Sequence, residues 1–277
     1  MALNIISGSL FFRRWSPAHN KPMPTLADSH VHLDRYSPDE VNAMLQRARQ
    51  AGVAYFLTVG VDLASSEQAV MLVQQHAGLY AAVGWHPAYL GSGFSLTNQE
   101  GLHALARQTP GVVAIGETGI DLLEAQAPLE LQQEAFRSQV QLAQQVGLPL
   151  ILHQQKAESY CQDILSAAGA GKEVVVHYFV GDLASACRWL ELGSAISVGR
   201  PVTRPENIAL RKAVEAIPLE RLLLETDIYP LPGRSTEPAN VLQVAEAVAA
   251  LKRIPLESVA EQTTANFCRL LRIERSL

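Results

Sequence analysis

Cysteine is scarce in this chain. Its 277 residues include three, Cys161, Cys187 and Cys268, an odd number, widely spread and without a Cys-x-x-Cys pair. That excludes a disulfide framework and reads as three reduced, buried small hydrophobes in a cytoplasmic protein. Positive charge is also short, with a formal net charge of −5 and a pI near 5.9. A broad basic face is therefore excluded, and any nucleic-acid contact must be local. No apolar run approaches the roughly 20 residues that span a bilayer, so no membrane partner is expected. Linkers, low-complexity segments and internal repeats are lacking too. What remains is ordinary globular composition, 48% hydrophobic and 18% charged, at a length that suits two small domains or one barrel.

The first residues differ in character. Leu10-Phe11-Phe12 is apolar, Arg13-Arg14 follows, and Pro17, Pro22 and Pro24 break any periodic element. A twin-arginine signal would place its apolar stretch after the arginines, where a polar, proline-rich segment stands instead. Residues 1–24 read as an N-terminal extension with little role in the fold, with Met23 an alternative start, and residues 25–277 as one folded domain.

After Pro24, short apolar or β-branched runs alternate with amphipathic stretches of helical length. The strand-like runs are Leu26–Leu33, Val53–Gly60, Tyr80–Trp85, Val112–Glu117, Pro149–His153, Val174–Phe179, Ala195–Gly199 and Leu222–Asp227. Between them Asp39–Gln50, Ser65–His76, Gln99–Arg107, Leu129–Val146, Glu158–Ala168, Leu183–Leu192, Glu206–Ala216 and Ala239–Lys252 predict helices, and Leu256–Leu271 a last one. Gly52, Gly78, Gly147 and Gly193 fall where C-cap glycines belong, and Ser37-Pro38-Asp39-Glu40 and Thr97-Asn98-Gln99-Glu100 look like helix starts. Eight strand–helix repeats predict an α/β fold, a (β/α)8 TIM barrel with an additional C-terminal helix. An open doubly wound sheet is the alternative.

Function in a barrel gathers at the carboxyl ends of the strands, and polar residues fall there repeatedly. His30 and His32, two apart in extended chain, point to one side. Glu117 follows Val112-Val113-Ala114-Ile115, His153 follows Leu150-Ile151-Leu152, His177 follows Val174-Val175-Val176, and Asp227 ends the run from Leu222. Each histidine alone reads equally well as a buried, hydrogen-bonded side chain, and each carboxylate would be costly there without a partner. A shared centre of two divalent ions resolves all of these burial costs at once. One ion would take His30, His32 and Asp227, the other His153 and His177, with Glu117 bridging. Mixed nitrogen and oxygen donors favour zinc or manganese, with magnesium possible. Two divalent ions, two carboxylates and a hydroxide sum to about +1, which suits a phosphodiester better than a neutral ester or amide. Glu225 and Asp28 read as partners inside the barrel rather than ligands.

Asp28-Ser29-His30-Val31-His32-Leu33-Asp34, Gly84-Trp85-His86-Pro87, Ala114-Ile115-Gly116-Glu117-Thr118-Gly119-Ile120-Asp121, Pro149-Leu150-Ile151-Leu152-His153 and Leu223-Leu224-Glu225-Thr226-Asp227 resemble the TatD-type metal-dependent hydrolases of the amidohydrolase superfamily. His177-Tyr178-Phe179-Val180-Gly181 and Thr263-Thr264-Ala265-Asn266 extend the resemblance, in order, from Thr25 to Leu271. It implies a TIM barrel and a deoxyribonuclease, a 3′–5′ exonuclease on single-stranded DNA or another phosphodiester. Its ligands fall on His30, His32, Glu117, His153, His177 and Asp227, and Asp227 is the catalytic residue that orients a metal-bridging hydroxide.

The periphery departs from the family pattern. Ala88 stands for a histidine, Gln154 and Gln155 precede Lys156 where an arginine is usual, and Val180 replaces a serine. Ile228-Tyr229-Pro230 stands for alanine-proline, and Ser235-Thr236 precedes Glu237-Pro238 in place of arginine-asparagine. His86, Lys156 and Glu237 are candidate substrate contacts. For His86 the alternative is a structural hydrogen bond to its loop, for Lys156 a solvated helix start. Trp85, Tyr89, Tyr178 and Tyr229 could stack on bases or simply pack. A small-molecule amidohydrolase or lactonase on the same centre, and a barrel serving a multi-protein system, are the competing readings.

Overall fold

The computed structural model describes residues 24–92, 94–230 and 236–274. Residues 1–23, which hold most of the expected extension, and Ser235 lie outside them. Eight strands, β1 (Leu26–Val31), β2 (Val53–Val59), β3 (Leu79–Val83), β4 (Val112–Asp121), β5 (Leu150–Gln155), β6 (Val174–Val176), β7 (Ala195–Val198) and β8 (Leu222–Leu224), form one sheet in sequential order. All neighbouring pairs are parallel. Past the last strand the chain returns to the first: His32 N–H donates to the Ile228 carbonyl at 3.0 Å and Asp227 N–H to the His30 carbonyl at 2.9 Å. Sequential order with return to β1 is a (β/α)8 barrel, not an open doubly wound sheet, whose order reverses.

The helices are α1 (Pro38–Gln50), α2 (Leu63–Val73), α3 (Leu96–Gln108), α4 (Leu129–Val146), α5 (Glu158–Ala168), α6 (Leu183–Glu191), α7 (Ile208–Ala216), α8 (Val241–Lys252) and α9 (Leu256–Leu270). Their ends follow local chemistry. Ser37 and Glu40 form the capping box of α1. α2 starts two residues before the expected Ser65, because Asp62 is the N-cap and Ser65 its reciprocal partner. Gly147 ends α4 in the left-handed region. Gly78 is no C-cap: α2 has already ended, and a Cβ on Gly78 would lie 2.3 Å from the Ala54 carbonyl.

Alternate strand residues divide the core. Ala27, Leu57, Ala82, Ala114, Ile151, Val175, Ala195 and Leu223 face the barrel interior, where Phe267 and Cys268 of α9 and Leu271 just after it join them. α9 is tied to the start of the barrel strands: Asn266 Nδ2 donates to the carbonyls of Leu219 and Leu222, and Thr264 Oγ1 to that of Thr25. The additional helix therefore plugs the amino ends of the strands and leaves the carboxyl ends open. Cys161 and Cys268 are buried as expected, whereas Cys187 is exposed on α6. Among the described residues no helix is long and apolar enough to cross a membrane.

Candidate metal centre

His30 and His32 leave β1 on one side, both buried, with their Nε2 atoms 3.3 Å apart. His32 Nδ1 stands 2.9 Å from the Val59 carbonyl on β2. A carbonyl only accepts, so Nδ1 carries the proton and the neutral ring turns its Nε2 lone pair inward. Asp227 Oδ1 lies 3.5 Å from His32 Nε2 and 3.9 Å from His30 Nε2. Glu117 Oε2 lies 3.4 Å from His30 Nε2 and 3.7 Å from His32 Nε2. Donors held about 2.0–2.2 Å from a tetrahedral zinc stand about 3.3–3.6 Å from one another. The His30–His32, His30–Glu117 and His32–Asp227 separations fit that shell and the other two are slightly wider, so these donors could share one ion.

The other oxygen of Glu117, Oε1, faces a second set: His153 Nδ1 at 2.8 Å, His177 Nε2 at 3.0 Å and His86 Nε2 at 3.5 Å. Among the described residues three donor groups are tight enough for an ion: His30–His32–Asp227, His86–Glu117–His153 and His30–His177–Glu225. The structure thus brings together the six residues expected to ligate and places His86 among them. His86 Nδ1 accepts from Ala88 N–H at 3.0 Å, so a neutral His86 carries its proton on Nε2 and points a donor at the centre.

The charge state follows from these contacts. Burial would raise the Glu117 carboxyl, but the surrounding His177, His86 and His30 hold it well below the usual range. Asp227 is likewise brought down to about 2 against burial, chiefly by His32. Burial pushes His30 down and His86 to about 3. It opposes the shifts of His153 and His177, which are raised by their carboxylate neighbours.

Three carboxylates support the donors. Asp121 Oδ2 takes the far nitrogen of His153, Nε2, at 3.0 Å, while Oδ1 accepts from the N–H groups of Leu123 and Glu124. Against burial, those bonds bring Asp121 to about 2. Sequence reading assigned Asp121 no role, although its even spacing from Glu117 along one strand was a usable signal. Glu225, fully buried, lies 3.3 Å from His177 Nδ1 and accepts from Tyr178 N–H. Asp28 accepts from both the N–H and the hydroxyl of Thr226, at 2.9 and 2.5 Å, next to Asp227, whose backbone is left-handed at φ 51°.

The centre floors a cavity of about 560 Å³, within the ~300–1,000 Å³ typical of small-ligand clefts. Tyr89, Tyr178 and Tyr229 line it with Arg35 and Arg200. Lys156 and Glu237 are not among its lining residues. Lys156 is exposed, and Glu237 is held by Arg47 Nη2 at 2.6 Å while its backbone N–H donates to Asn240 Oδ1 at the turn that precedes α8. Trp85 is buried, donates through Nε1 to the Tyr89 carbonyl and meets Phe94 edge-on, which is packing rather than base stacking.

A barrel whose open end gathers histidines and carboxylates in this way is the architecture of a metal-dependent hydrolase. The chain belongs to the TatD related DNase family, which matches residues 27–272. It is 34% identical over 257 residues to YabD, an uncharacterized metal-dependent hydrolase of Bacillus subtilis, covering 90% of this chain and 99% of that protein. It is also 34% identical over 251 residues to the 3′-5′ ssDNA/RNA exonuclease TatD of Klebsiella pneumoniae, covering 85% and 92%. The crystal structure of the TatD homologue YjjV of Escherichia coli superposes with a TM-score of 0.83 at 32% identity, over 90% of this chain and 98% of that one.

Proposed function

We propose that this hydrolase is a two-metal phosphodiesterase that shortens single-stranded DNA from its 3′ end, with zinc, manganese or magnesium as the metal. The observation that carries the reading is Glu117, which turns one carboxylate oxygen to each of two donor sets. His30, His32 and Asp227 would hold one ion, His153 and His177 the other, and Glu117 would serve both. Bound divalent ions polarise the phosphoryl group and acidify water at such a centre. Asp227, the most exposed carboxylate of the ligand set with 17% of its side chain accessible, orients the attacking water and takes its proton. His86 donates from Nε2 toward a phosphate oxygen, and Tyr89, Tyr178 and Tyr229 offer ring faces to the bases. The K. pneumoniae relative supports single-stranded nucleic acid as the substrate class.

The test is incubation of end-labelled single-stranded DNA with the purified protein and manganese or magnesium. Stepwise shortening from the 3′ end is expected, lost in Asp227→Asn with the fold retained. No shortening by protein shown to carry its metal would remove the reading.

A further inference from the structure

We propose that Arg200 and Arg204, on the turn after β7, form a phosphate-gripping edge of the cleft that binds the substrate strand at a phosphate beyond the reacting one. This rests on the phosphodiesterase reading and gives it a substrate preference: a strand with several phosphates over a single phosphodiester.

Arg200 opens the 3-10 turn Arg200–Thr203 and lines the cavity. Its Nη1 donates to Thr236 Oγ1 at 3.0 Å, and among the described residues it meets no carboxylate. Arg204 closes the turn, exposed, and its side chain makes neither a hydrogen bond nor an ion pair among the described residues. Its positive charge nevertheless reaches Tyr178, where it opposes the rise that burial gives the phenol. Tyr178 lines the same cavity and packs over Gly199, where a Cβ would stand 3.2 Å from its ring. Arg200 therefore stands in the cavity wall on its β7 side, and Arg204, outside the wall, follows it on the same exposed turn. The other arginine of the lining, Arg35, is already engaged, by Asp34 at 3.2 Å and by the Tyr89 hydroxyl at 2.9 Å.

The turn is built to hold its shape. Pro201 and Pro205 fix φ at two positions. Val202 N–H donates to the Gly199 carbonyl, Thr203 Oγ1 to that of Arg200, Asn207 Nδ2 to that of Pro201 and Arg211 Nη1 to that of Val202. Solvated arginines need no such scaffold. Two guanidinium groups without acid partners among the described residues, carried on a firmly held turn beside a cleft in a chain of net charge −5, match the planar recognition of phosphate oxygens.

The experiment is fluorescence anisotropy of a labelled single-stranded thymidine octamer, with metal chelated so that nothing is cut. The double variant Arg200→Ala/Arg204→Ala is expected to bind about tenfold more weakly than the native protein. Its plot of log affinity against log salt should be shallower by about 0.7 per arginine removed. Arg137→Ala, on the exposed side of α4, should match the native protein. An octamer with uncharged methylphosphonate linkages should not distinguish native from double variant. Equal affinity and slope for native and double variant on the charged octamer would overturn the proposal. The two readings separate: an octamer bound through these arginines but never shortened with manganese leaves the edge standing and removes the nuclease. Shortening together with an indifferent double variant removes the edge alone.

Discussion

Asp121 Oδ2 holds Nε2 of His153 at 3.0 Å on the side of the ring opposite Glu117. A carboxylate that already accepts two backbone N–H groups cannot donate, so it fixes the proton on Nε2 and leaves Nδ1 to face Glu117 at 2.8 Å. The ring thus uses the nitrogen nearer its own backbone toward the centre, whereas His32 uses Nε2.

Asp121→Asn keeps the shape and removes that control. The amide can turn an N–H toward Nε2 and favour the other tautomer, which places a proton on the nitrogen meant for a cation. We expect metal affinity of the His153 side to fall about 10–100-fold, with an unchanged circular dichroism spectrum. Metal titration by calorimetry measures it, and an affinity equal to the native value would mean that Asp121 is only a loop cap.

The eight strands were legible because strands buried on both faces of a barrel read as continuous apolar runs, and the six converging residues because each ended such a run. The positions at which the chain leaves the ladder were not. β6 was expected to reach Phe179 and β8 Asp227, but they stop at Val176 and Leu224. Beyond them Tyr178 and Asp227 adopt φ 45° and 51°, in the left-handed region that costs a non-glycine residue free energy. Glu225 and Asp28 hold those two bends, and Asp28 lies 198 residues from the Thr226 it binds, a separation no local pattern reports. β4 errs the other way and runs on to Asp121, because Gly119 lies so close to the His153 carbonyl that a side chain would collide with it. Lys156 looked like a substitute for the missing arginine by proximity in sequence. The cavity takes Gln155 into its wall and leaves Lys156 out, while the cations that do line it, Arg35 and Arg200, follow β1 and β7.

The charge state of the candidate ligands predicts how stability depends on pH once metal is chelated. His32, His153 and His177 are raised above the ordinary 6.5. Their contribution is full below 6.5 and lost as pH rises through the raised values. Glu117 and Asp227 are depressed below 4.5 and 3.8, so theirs is full above those values and lost as pH falls through the depressed ones. His30 and His86, lowered by burial, act the other way, their contribution full above 6.5 and lost as pH falls below it, so these histidines and carboxylates together put the melting-temperature maximum of the chelated protein near pH 6.5. Manganese needs the imidazoles neutral, so the rise in melting temperature on adding it should grow from pH 5 to pH 8. Thermal scans across that range decide it, and a metal-induced rise that is flat with pH would contradict the protonated histidines.

Asp28 governs the last ligand without touching it. Its two oxygens take the N–H and hydroxyl of Thr226, and the next residue, Asp227, sits in a left-handed conformation with its carboxylate against His32. Such a conformation persists only where its surroundings impose it. Asp28→Ala strips both acceptors from a buried site, and an unsatisfied N–H there costs about 1–3 kcal/mol. It also frees Asp227 to relax away from His30 and His32. The expected result is a loss of about that size in urea unfolding, together with weaker metal binding at the His30–His32 side. Asp28→Asn keeps one carbonyl acceptor for the Thr226 N–H, and its Nδ2 can donate to the Thr226 hydroxyl oxygen, so it should restore much of both. Were Asp28→Ala to lose stability while its metal affinity stayed native, the clamp would be a seam between β1 and the chain after β8 and would have no part in placing Asp227.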